Sequence, residues 1–281
     1  MKKYPYSILF IITFLILLPF VWYNVFLEDL IVTASEEPPA PEVPVEQIVL
    51  LEDLLQDAVD QAEQPALPFE AIPPDFVTID KGYWSDALFI GDSRMIGLAE
   101  YTDLGDAHVF AKNGLSSFNA LTAKNAMPSP QEYLPDMLEH NTYGKVYIML
   151  GLNEMHSSFD KIREKYLGVI NTVHDMQPDA LIFLCANMHV TASRSETDKT
   201  FNNPNIERIN QFLQEVAEEN GYFYIDVNEE YDTEDGALDP ELTYDGIHVR
   251  AAHYGRWNDW LRTKGILLPG MEYTPEDNNE E

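Results

Sequence analysis

Three short segments carry the residue types that nucleophilic catalysis needs: Gly91-Asp92-Ser93-Arg94, Gly151-Leu152-Asn153-Glu154 and Asp245-Gly246-Ile247-His248. A serine at a strand-to-helix turn exposes its hydroxyl and places its backbone N–H where negative charge is favoured. An asparagine amide can donate to a developing oxyanion, and an Asp three residues before a His can orient the imidazole as a base. Taken singly, each segment could equally be a helix cap or a surface turn.

These segments must be positioned by an alternating α/β domain between about residues 77 and 268. Five apolar runs are predicted as strands: Ala87–Ile90, His108–Ala111, Val146–Leu150, Leu181–Cys185 and Phe223–Val227. Helices are predicted at Ser116–Asn125, Phe159–Met176 and Ile206–Asn220, with Gly221 as the C-cap of the last. Strand–helix alternation predicts a three-layer α/β fold with its active site at the carboxyl ends of parallel strands.

Together the segments resemble the SGNH, or GDSL-type, esterase and acylhydrolase family, which is named for Ser, Gly, Asn and His in four separated blocks. The best candidate for the glycine block is Lys112-Asn113-Gly114-Leu115, and the resemblance spans about residues 90–249. It implies an α/β/α sandwich with a five-stranded, parallel, flavodoxin-like sheet. The residues that match the four blocks are Ser93, Gly114, Asn153, and the pair Asp245 and His248.

The resemblance also implies a role for each matched residue. Ser93 would attack an acyl carbonyl, His248 would serve as general base and then acid, and Asp245 would hold the histidine tautomer. The oxyanion hole would consist of the Ser93 and Gly114 backbone N–H groups and the Asn153 side chain. No metal and no organic cofactor is implied.

Several other residues near these blocks could contact a substrate. Glu154 stands where the family usually has Asp, so we leave it out of the catalytic set. Arg94 could touch an anionic substrate, but a solvated arginine at a helix start is favoured. His189 follows the fourth strand and could line the pocket, although an ordinary loop histidine is favoured. Three aromatic residues near the last block could form a sugar-stacking platform, but a core position is favoured for Tyr244, Tyr254 and Trp257.

Composition excludes several classes of protein. The chain of 281 residues has 17 Lys plus Arg against 48 Asp plus Glu, a formal net charge of −31, which would repel a nucleic-acid backbone. The single cysteine, Cys185, cannot form an internal disulfide, and no Cys/His cluster has zinc spacing. The hydrophobic fraction of 45% is ample for a packed core.

The N-terminal part predicts a membrane anchor. Lys2 and Lys3 precede a nearly uninterrupted apolar stretch from Ser7 to Leu27, long enough to span a bilayer, and no Lys or Arg follows until after Asp80. We therefore expect an uncleaved signal anchor in residues 1–34, with the N-terminus cytoplasmic and the rest of the chain outside. A signal peptide cleaved near Val32-Thr33-Ala34 is the alternative.

The predicted organisation continues with a Pro/Glu-rich stalk in residues 35–76, which could include a short amphipathic helix at Gln47–Gln64. The hydrolase domain follows in residues 77–268, and an acidic tail in residues 269–281.

The sequence thus predicts an extracytoplasmic serine esterase, held on the membrane by its N-terminal helix, that removes short acyl groups, such as acetyl, from a carbohydrate or cell-envelope polymer. The alternatives are a lipase or lysophospholipase on lipid esters, an acyltransferase on the same fold, and a non-catalytic membrane-tethered scaffold. No nucleic-acid partner is expected, and the sequence identifies no protein partner.

Overall fold

A computed structural model describes residues 75–268 together with Gly270 and Tyr273. Within this part, five parallel strands form one sheet in the order β2-β1-β3-β4-β5. The chain reverses its direction of progress across the sheet between β1 and β3, which is where ligand crevices form in folds of this kind. The strands are β1 (Ala87–Gly91), β2 (His108–Ala111), β3 (Lys145–Met149), β4 (Leu181–Cys185) and β5 (Phe223–Ile225).

Helices cover both faces of the sheet. Alternate strand residues point to opposite sides, so each strand contributes apolar side chains to both faces. Leu88 and Ile90 of β1 belong to one buried cluster, and Ala87 and Phe89 belong to the other. The described helices are α1 (Ser93–Tyr101), α2 (Leu134–His140), α3 (Phe159–Met176), α4 (Ala192–Thr197), α5 (Asn203–Asn220), α6 (Asn228–Tyr231) and α7 (Tyr254–Leu261), with 3-10 helices at Lys81–Trp84, Pro240–Leu242 and Ala251–His253. Helices α2, α3 and α5 pack on the first cluster, and α1, α6 and α7 on the second. The five-stranded, parallel, three-layer prediction is confirmed.

The predicted elements agree with the observed ones except for one helix. Phe159–Met176 is confirmed, and the helix predicted from Ile206 begins at Asn203, capped by the Asn202 side chain, and ends at Gly221 with φ +69°. The helix predicted at Ser116–Asn125 is wrong, because this segment is a series of turns.

Polar side chains explain the difference. The Asn119 carboxamide oxygen accepts from the Ser116 backbone N–H (2.9 Å), and the Asn125 carboxamide bonds to the backbones of Val109 and Ala111. The Asn125 carboxamide thus holds the end of this segment against β2, and the backbone bonds from Ala120 to Ser116 and from Ala123 to Asn119 close separate turns instead of a continuous helix.

The predicted transmembrane helix, residues 35–74 of the predicted stalk and residues 274–281 lie outside the described residues. Among the helices that the structure does describe, none combines the length and apolar character needed to cross a bilayer.

The first and last described segments of the domain meet at the amino-terminal edge of the sheet. Val77 and Gly265 exchange backbone hydrogen bonds of 2.9 and 3.0 Å. The Tyr83 hydroxyl donates to the carbonyl of Ile266 (2.8 Å), and the Tyr83 ring lies 4.4 Å from the ammonium of Lys145, the first residue of β3. The two ends of the domain are therefore joined on the side opposite the carboxyl ends of the strands.

Close packing of α1 on α7 gives a testable prediction. A Cβ atom at Gly97 of α1 would lie 2.3 Å from the buried Tyr254 ring. We expect Gly97→Ala to lower the free energy of unfolding by about 1–3 kcal/mol, the usual cost of overpacking. Thermal unfolding would measure this, with Gly168→Ala in α3 as the control.

Nothing lies within 4 Å of a Cβ at Gly168, so that control should be neutral or stabilised by up to about 1 kcal/mol, because alanine favours a helix. An unchanged midpoint for Gly97→Ala would contradict the close approach of α1 to Tyr254.

Candidate active site

Ser93 is the first residue of α1, directly beyond the end of β1. Asp92 caps this helix, with its carboxylate accepting from the Arg94 backbone N–H (3.0 Å). Gly91 is required at this turn, because a Cβ there would lie 2.6 Å from the Met95 Cβ and 3.1 Å from the Met149 carbonyl oxygen. The tight turn leaves Ser93 half-buried, with its hydroxyl at the carboxyl edge of the sheet.

The last predicted segment brings a histidine and a carboxylate to this serine. The Ser93 Oγ lies 3.0 Å from the His248 Nε2, although the two residues are 155 positions apart. The His248 Nδ1 lies 2.7 Å from the Asp245 Oδ2. Ser93, His248 and Asp245 therefore form a continuous hydrogen-bonded chain.

The loop that holds this pair is itself fixed by the Asp245 carboxylate. Its Oδ1 accepts from the backbone N–H groups of Ile247 (2.9 Å) and His248 (2.8 Å). Burial alone would raise the pKa of Asp245, but the hydrogen bonds from the His248 ring, the His248 backbone and the Ile247 backbone hold that pKa well below its usual range. The ionised carboxylate keeps a proton on the His248 Nδ1 and leaves Nε2 free to accept one from Ser93.

The predicted oxyanion-hole residues come from three adjoining loops. The Asn153 Nδ2 donates to the Asp92 carboxylate (3.1 Å) and to the Leu115 carbonyl (2.9 Å). Asn153 thus lies between the residue before Ser93 and the residue after Gly114. Gly114 is exposed and has φ +73°, a conformation that favours glycine.

A buried ion pair underlies these loops. The Arg94 guanidinium donates through Nε and Nη2 to the two Asp92 carboxylate oxygens (2.9 and 2.7 Å), and through Nη2 to the Asn187 carboxamide (3.0 Å). Arg94 is only 1% exposed, so the solvated arginine we expected is wrong. The physical reason is that the Asp92 carboxylate is fully buried, and a buried charge needs a partner.

Asp92 is the functional candidate that sequence reasoning missed. Its carboxylate touches both Arg94 and Asn153, so it orients the amide proposed for the oxyanion hole. The available signal was the acid–base pair that flanks Ser93 in the first segment.

Glu154 supports the glycine loop rather than the nucleophile. Its Oε1 accepts from the Ser117 backbone N–H (2.8 Å), three residues beyond Gly114, and burial raises its pKa. The side chain is 1% exposed and cannot reach a substrate from that position.

His189 belongs to a separate buried group. Its Nδ1 contacts the Asp232 carboxylate, and its Nε2 lies 2.7 Å from the Glu207 carboxylate. Burial alone would lower the pKa of His189, but these two carboxylates raise it. Because both ring nitrogens face carboxylates, this histidine stabilises the loop after β4.

The aromatic residues near the last segment divide into two groups. Tyr254 and Trp257 are buried, as expected, whereas Tyr244 is 88% exposed, so its predicted core position is wrong. A cavity of about 340 Å³ contains Ser93 and His248 and is also lined by Tyr101, Tyr244 and Tyr254. In the part of the chain that the structure describes, no group of three or more His, Cys, Asp and Glu side chains is arranged to hold a metal ion.

Asn153 provides a direct test of the oxyanion hole. We expect Asn153→Ala to lower kcat on a 4-nitrophenyl ester about 10²–10³-fold, the usual cost of losing one donor to the oxyanion. The control is Asn171→Ala, at an exposed position of α3, which should retain the activity of the unmodified protein. A loss of less than about fivefold in Asn153→Ala would show that the amide serves only the structure of the loop.

Comparison with known proteins gives three kinds of similarity. N-acylneuraminate cytidylyltransferase of Streptococcus agalactiae serotype III is 24% identical over 161 residues, which cover 57% of this chain and 34% of that enzyme. The serotype V enzyme is 25% identical over spans of the same size. The chain therefore corresponds to about a third of the length of these curated relatives.

Similar solved structures include a GDSL-like lipase from Bacteroides thetaiotaomicron, with a TM-score of 0.48, 13% identity, and coverage of 66% of this chain and 89% of that one. A carbohydrate acetylesterase family member from Sinorhizobium meliloti has a TM-score of 0.43 and 18% identity, covering 63% of this chain and 96% of that one. The model of the GDSL-like lipase/acylhydrolase family matches residues 89–256, more than half of the chain. The protein is therefore a member of the GDSL-like lipase/acylhydrolase family.

Proposed function

We propose that this enzyme is an extracytoplasmic serine esterase that removes short acyl groups, such as acetyl, from a carbohydrate or cell-envelope polymer. The observation that carries the esterase mechanism is the 3.0 Å contact between the Ser93 Oγ and the His248 Nε2, with Asp245 behind the imidazole. This is the arrangement in which a base removes the proton from a serine as it attacks.

The proposed reaction has two halves. The Ser93 Oγ attacks the ester carbonyl while its proton moves to the His248 Nε2. The resulting oxyanion receives hydrogen bonds from the backbone N–H groups of Ser93 and Gly114 and from the Asn153 Nδ2. To donate to the oxyanion, Nδ2 exchanges its bond to the Leu115 carbonyl and keeps its bond to Asp92. His248 then protonates the departing alcohol, which leaves an acyl-Ser93 ester, and a water deprotonated by His248 hydrolyses that ester.

The lining of the cavity supports a short acyl group. Its wall includes the charged residues Glu100 and Arg250. Charged groups in the wall of a cavity disfavour a long alkyl chain, which would have to desolvate them.

Two further observations support a carbohydrate substrate and an extracytoplasmic location. The curated relatives act, by their name, on N-acylneuraminate, an acylated sugar. The basic N-terminus followed by the apolar stretch Ser7–Leu27 supports export of the rest of the chain.

Acyl-chain preference tests the proposal. We expect the full chain, purified in detergent, to hydrolyse 4-nitrophenyl acetate with a kcat/KM at least about tenfold above that for 4-nitrophenyl octanoate, because the octanoyl chain would have to desolvate the charged side chains in the wall of the cavity. The Ser93→Ala variant measures the hydrolysis that does not depend on the nucleophile. Preference for octanoate would overturn the short-acyl proposal in favour of a lipase, and acetylation of an added sugar in place of acetate release would show an acyltransferase.

Location is tested separately with alkaline phosphatase fused after Glu281, since that reporter folds with its disulfides only in an oxidising compartment. An active fusion is expected, and an inactive fusion present at normal amounts would contradict export.

A further inference from the structure

Tyr244 is an exposed aromatic ring whose orientation is held from within the protein. It is 88% exposed and immediately precedes Asp245. The Arg250 guanidinium lies 4.1 Å from the centre of the ring, and its Nη2 donates to the Thr243 carbonyl (2.9 Å). The arginine therefore supports the ring by stacking while leaving most of its surface open.

Tyr244 also lies where two cavities adjoin. One is the cavity of about 340 Å³ that contains Ser93 and His248. The other, of about 640 Å³, lies on the far side of the Asp245 loop, and both cavities include Tyr244 and Asp245 in their walls. A molecule that extends from the nucleophile into the larger cavity passes the part of the wall that Tyr244 and Asp245 share.

The larger cavity has the mixed chemistry of a sugar-binding surface. Its wall combines hydroxyl-bearing residues such as Ser193 and Thr233, the charged residues Arg194 and Asp235, and apolar residues such as Leu238 and Pro240. A sugar ring has an apolar C–H face and a rim of hydroxyl groups. The C–H face suits the negative face of an aromatic ring, and the rim suits hydroxyl-bearing side chains.

We propose that the substrate is an acylated oligosaccharide or polysaccharide that binds across both cavities, with the acylated sugar beside Ser93, the next sugar stacked on Tyr244 and the chain continuing into the larger cavity. This rests on the proposed carbohydrate esterase function and extends it. The enzyme recognises at least two linked sugars, so it acts on chains in preference to single sugars.

The test measures chain-length preference in the full-length protein. The quantity is the ratio of kcat/KM for O-acetylated xylohexaose to that for O-acetylated methyl xyloside, at equal acetyl concentration. We expect a ratio of about 2–12 in the unmodified enzyme, the usual size of one aromatic contact. In Tyr244→Ala the ratio should fall to about one, and in Tyr244→Phe it should persist, because the ring remains.

Tyr101→Ala is the matched control. Tyr101 is also an exposed tyrosine, but of the two cavities it lines only the one that contains Ser93. Its loss should therefore affect both substrates alike and preserve the ratio.

The outcomes separate the two proposals. A ratio near one in the unmodified enzyme, or a ratio that survives in Tyr244→Ala, overturns the Tyr244 inference and leaves the carbohydrate esterase function standing. Hydrolysis of 4-nitrophenyl acetate without acetate release from either sugar overturns the carbohydrate substrate, and the inference falls with it.

Discussion

Replacing Ser93 with alanine is expected to lower kcat on the order of 10⁶-fold, the loss seen when the nucleophile of a comparable catalytic triad is removed. The Ser93 Oγ, which lies 3.0 Å from the His248 Nε2, is the atom that forms the acyl-enzyme. Neither of the other two residues in the hydrogen-bonded series, His248 and Asp245, can take its place as nucleophile. His248→Ala should lower kcat almost as far. The double variant should be no worse than either single variant, because the two residues act as a unit.

Turnover of 4-nitrophenyl acetate by each variant measures this effect. Ser158→Ala is a matched control, since Ser158 likewise lies at the start of a helix, immediately before α3, but makes no side-chain cap bond, and it should keep full activity. Mass spectrometry after brief reaction should find the acetyl group on Ser93 in the unmodified protein. Residual activity within tenfold of normal in Ser93→Ala would refute the serine mechanism.

After the Ser93 and His248 variants, the largest effect is expected from Asp245→Asn, which should lower kcat about 10⁴-fold near neutral pH. The carboxylate accepts from the His248 Nδ1 (2.7 Å) and so keeps Nε2 free to receive the proton of Ser93. An amide can donate to Nδ1 instead, which moves the imidazole proton to Nε2 and removes the base. The backbone bonds to Oδ1 can persist in this variant, so the fold should survive.

The pH profile gives this prediction a second readout. Because hydrogen bonds hold the pKa of Asp245 well below its usual range, this carboxylate stays ionised in neutral and mildly acidic solution. Protonation of Asp245 should therefore not limit the activity of the unmodified enzyme between pH 8 and pH 5. Asp179→Asn, which removes an exposed charge just before β4, should retain the normal rate and profile. A normal rate in Asp245→Asn would show that His248 is oriented by other contacts.

The strands of the sheet could be predicted because each strand is recognisable from its own few residues. Each strand is a short, nearly continuous apolar run, which is typical of a parallel sheet covered on both faces. Gly221 likewise marked the end of α5, because its positive φ is a conformation other residues rarely adopt. The helix predicted at residues 116–125 is wrong because the Asn125 carboxamide bonds to the backbone of Val109 and Ala111 in β2, a contact that the local pattern does not show.

The residues of the candidate site that belong to short sequence motifs could be predicted. Ser93, His248 and Asp245 come together as expected, and Asn153 lies beside the loops of Ser93 and Gly114. Arg94 and Tyr244 were misplaced for a common reason. Their burial depends on which groups lie around them in three dimensions: a buried Asp92 carboxylate in one case, and an open boundary between two cavities in the other.

The joined ends of the domain have a practical consequence for how the enzyme can be immobilised. Val77 and Gly265 are paired at the amino-terminal edge of the sheet, whereas Ser93 lies at the carboxyl edge. A bead, resin or electrode linked to the chain directly ahead of Val77 would hold the domain at the amino-terminal edge of its sheet. The nucleophile at the carboxyl edge would then face the solution. Insoluble substrates, such as a film of acetylated polymer, would then meet the open face of the enzyme first.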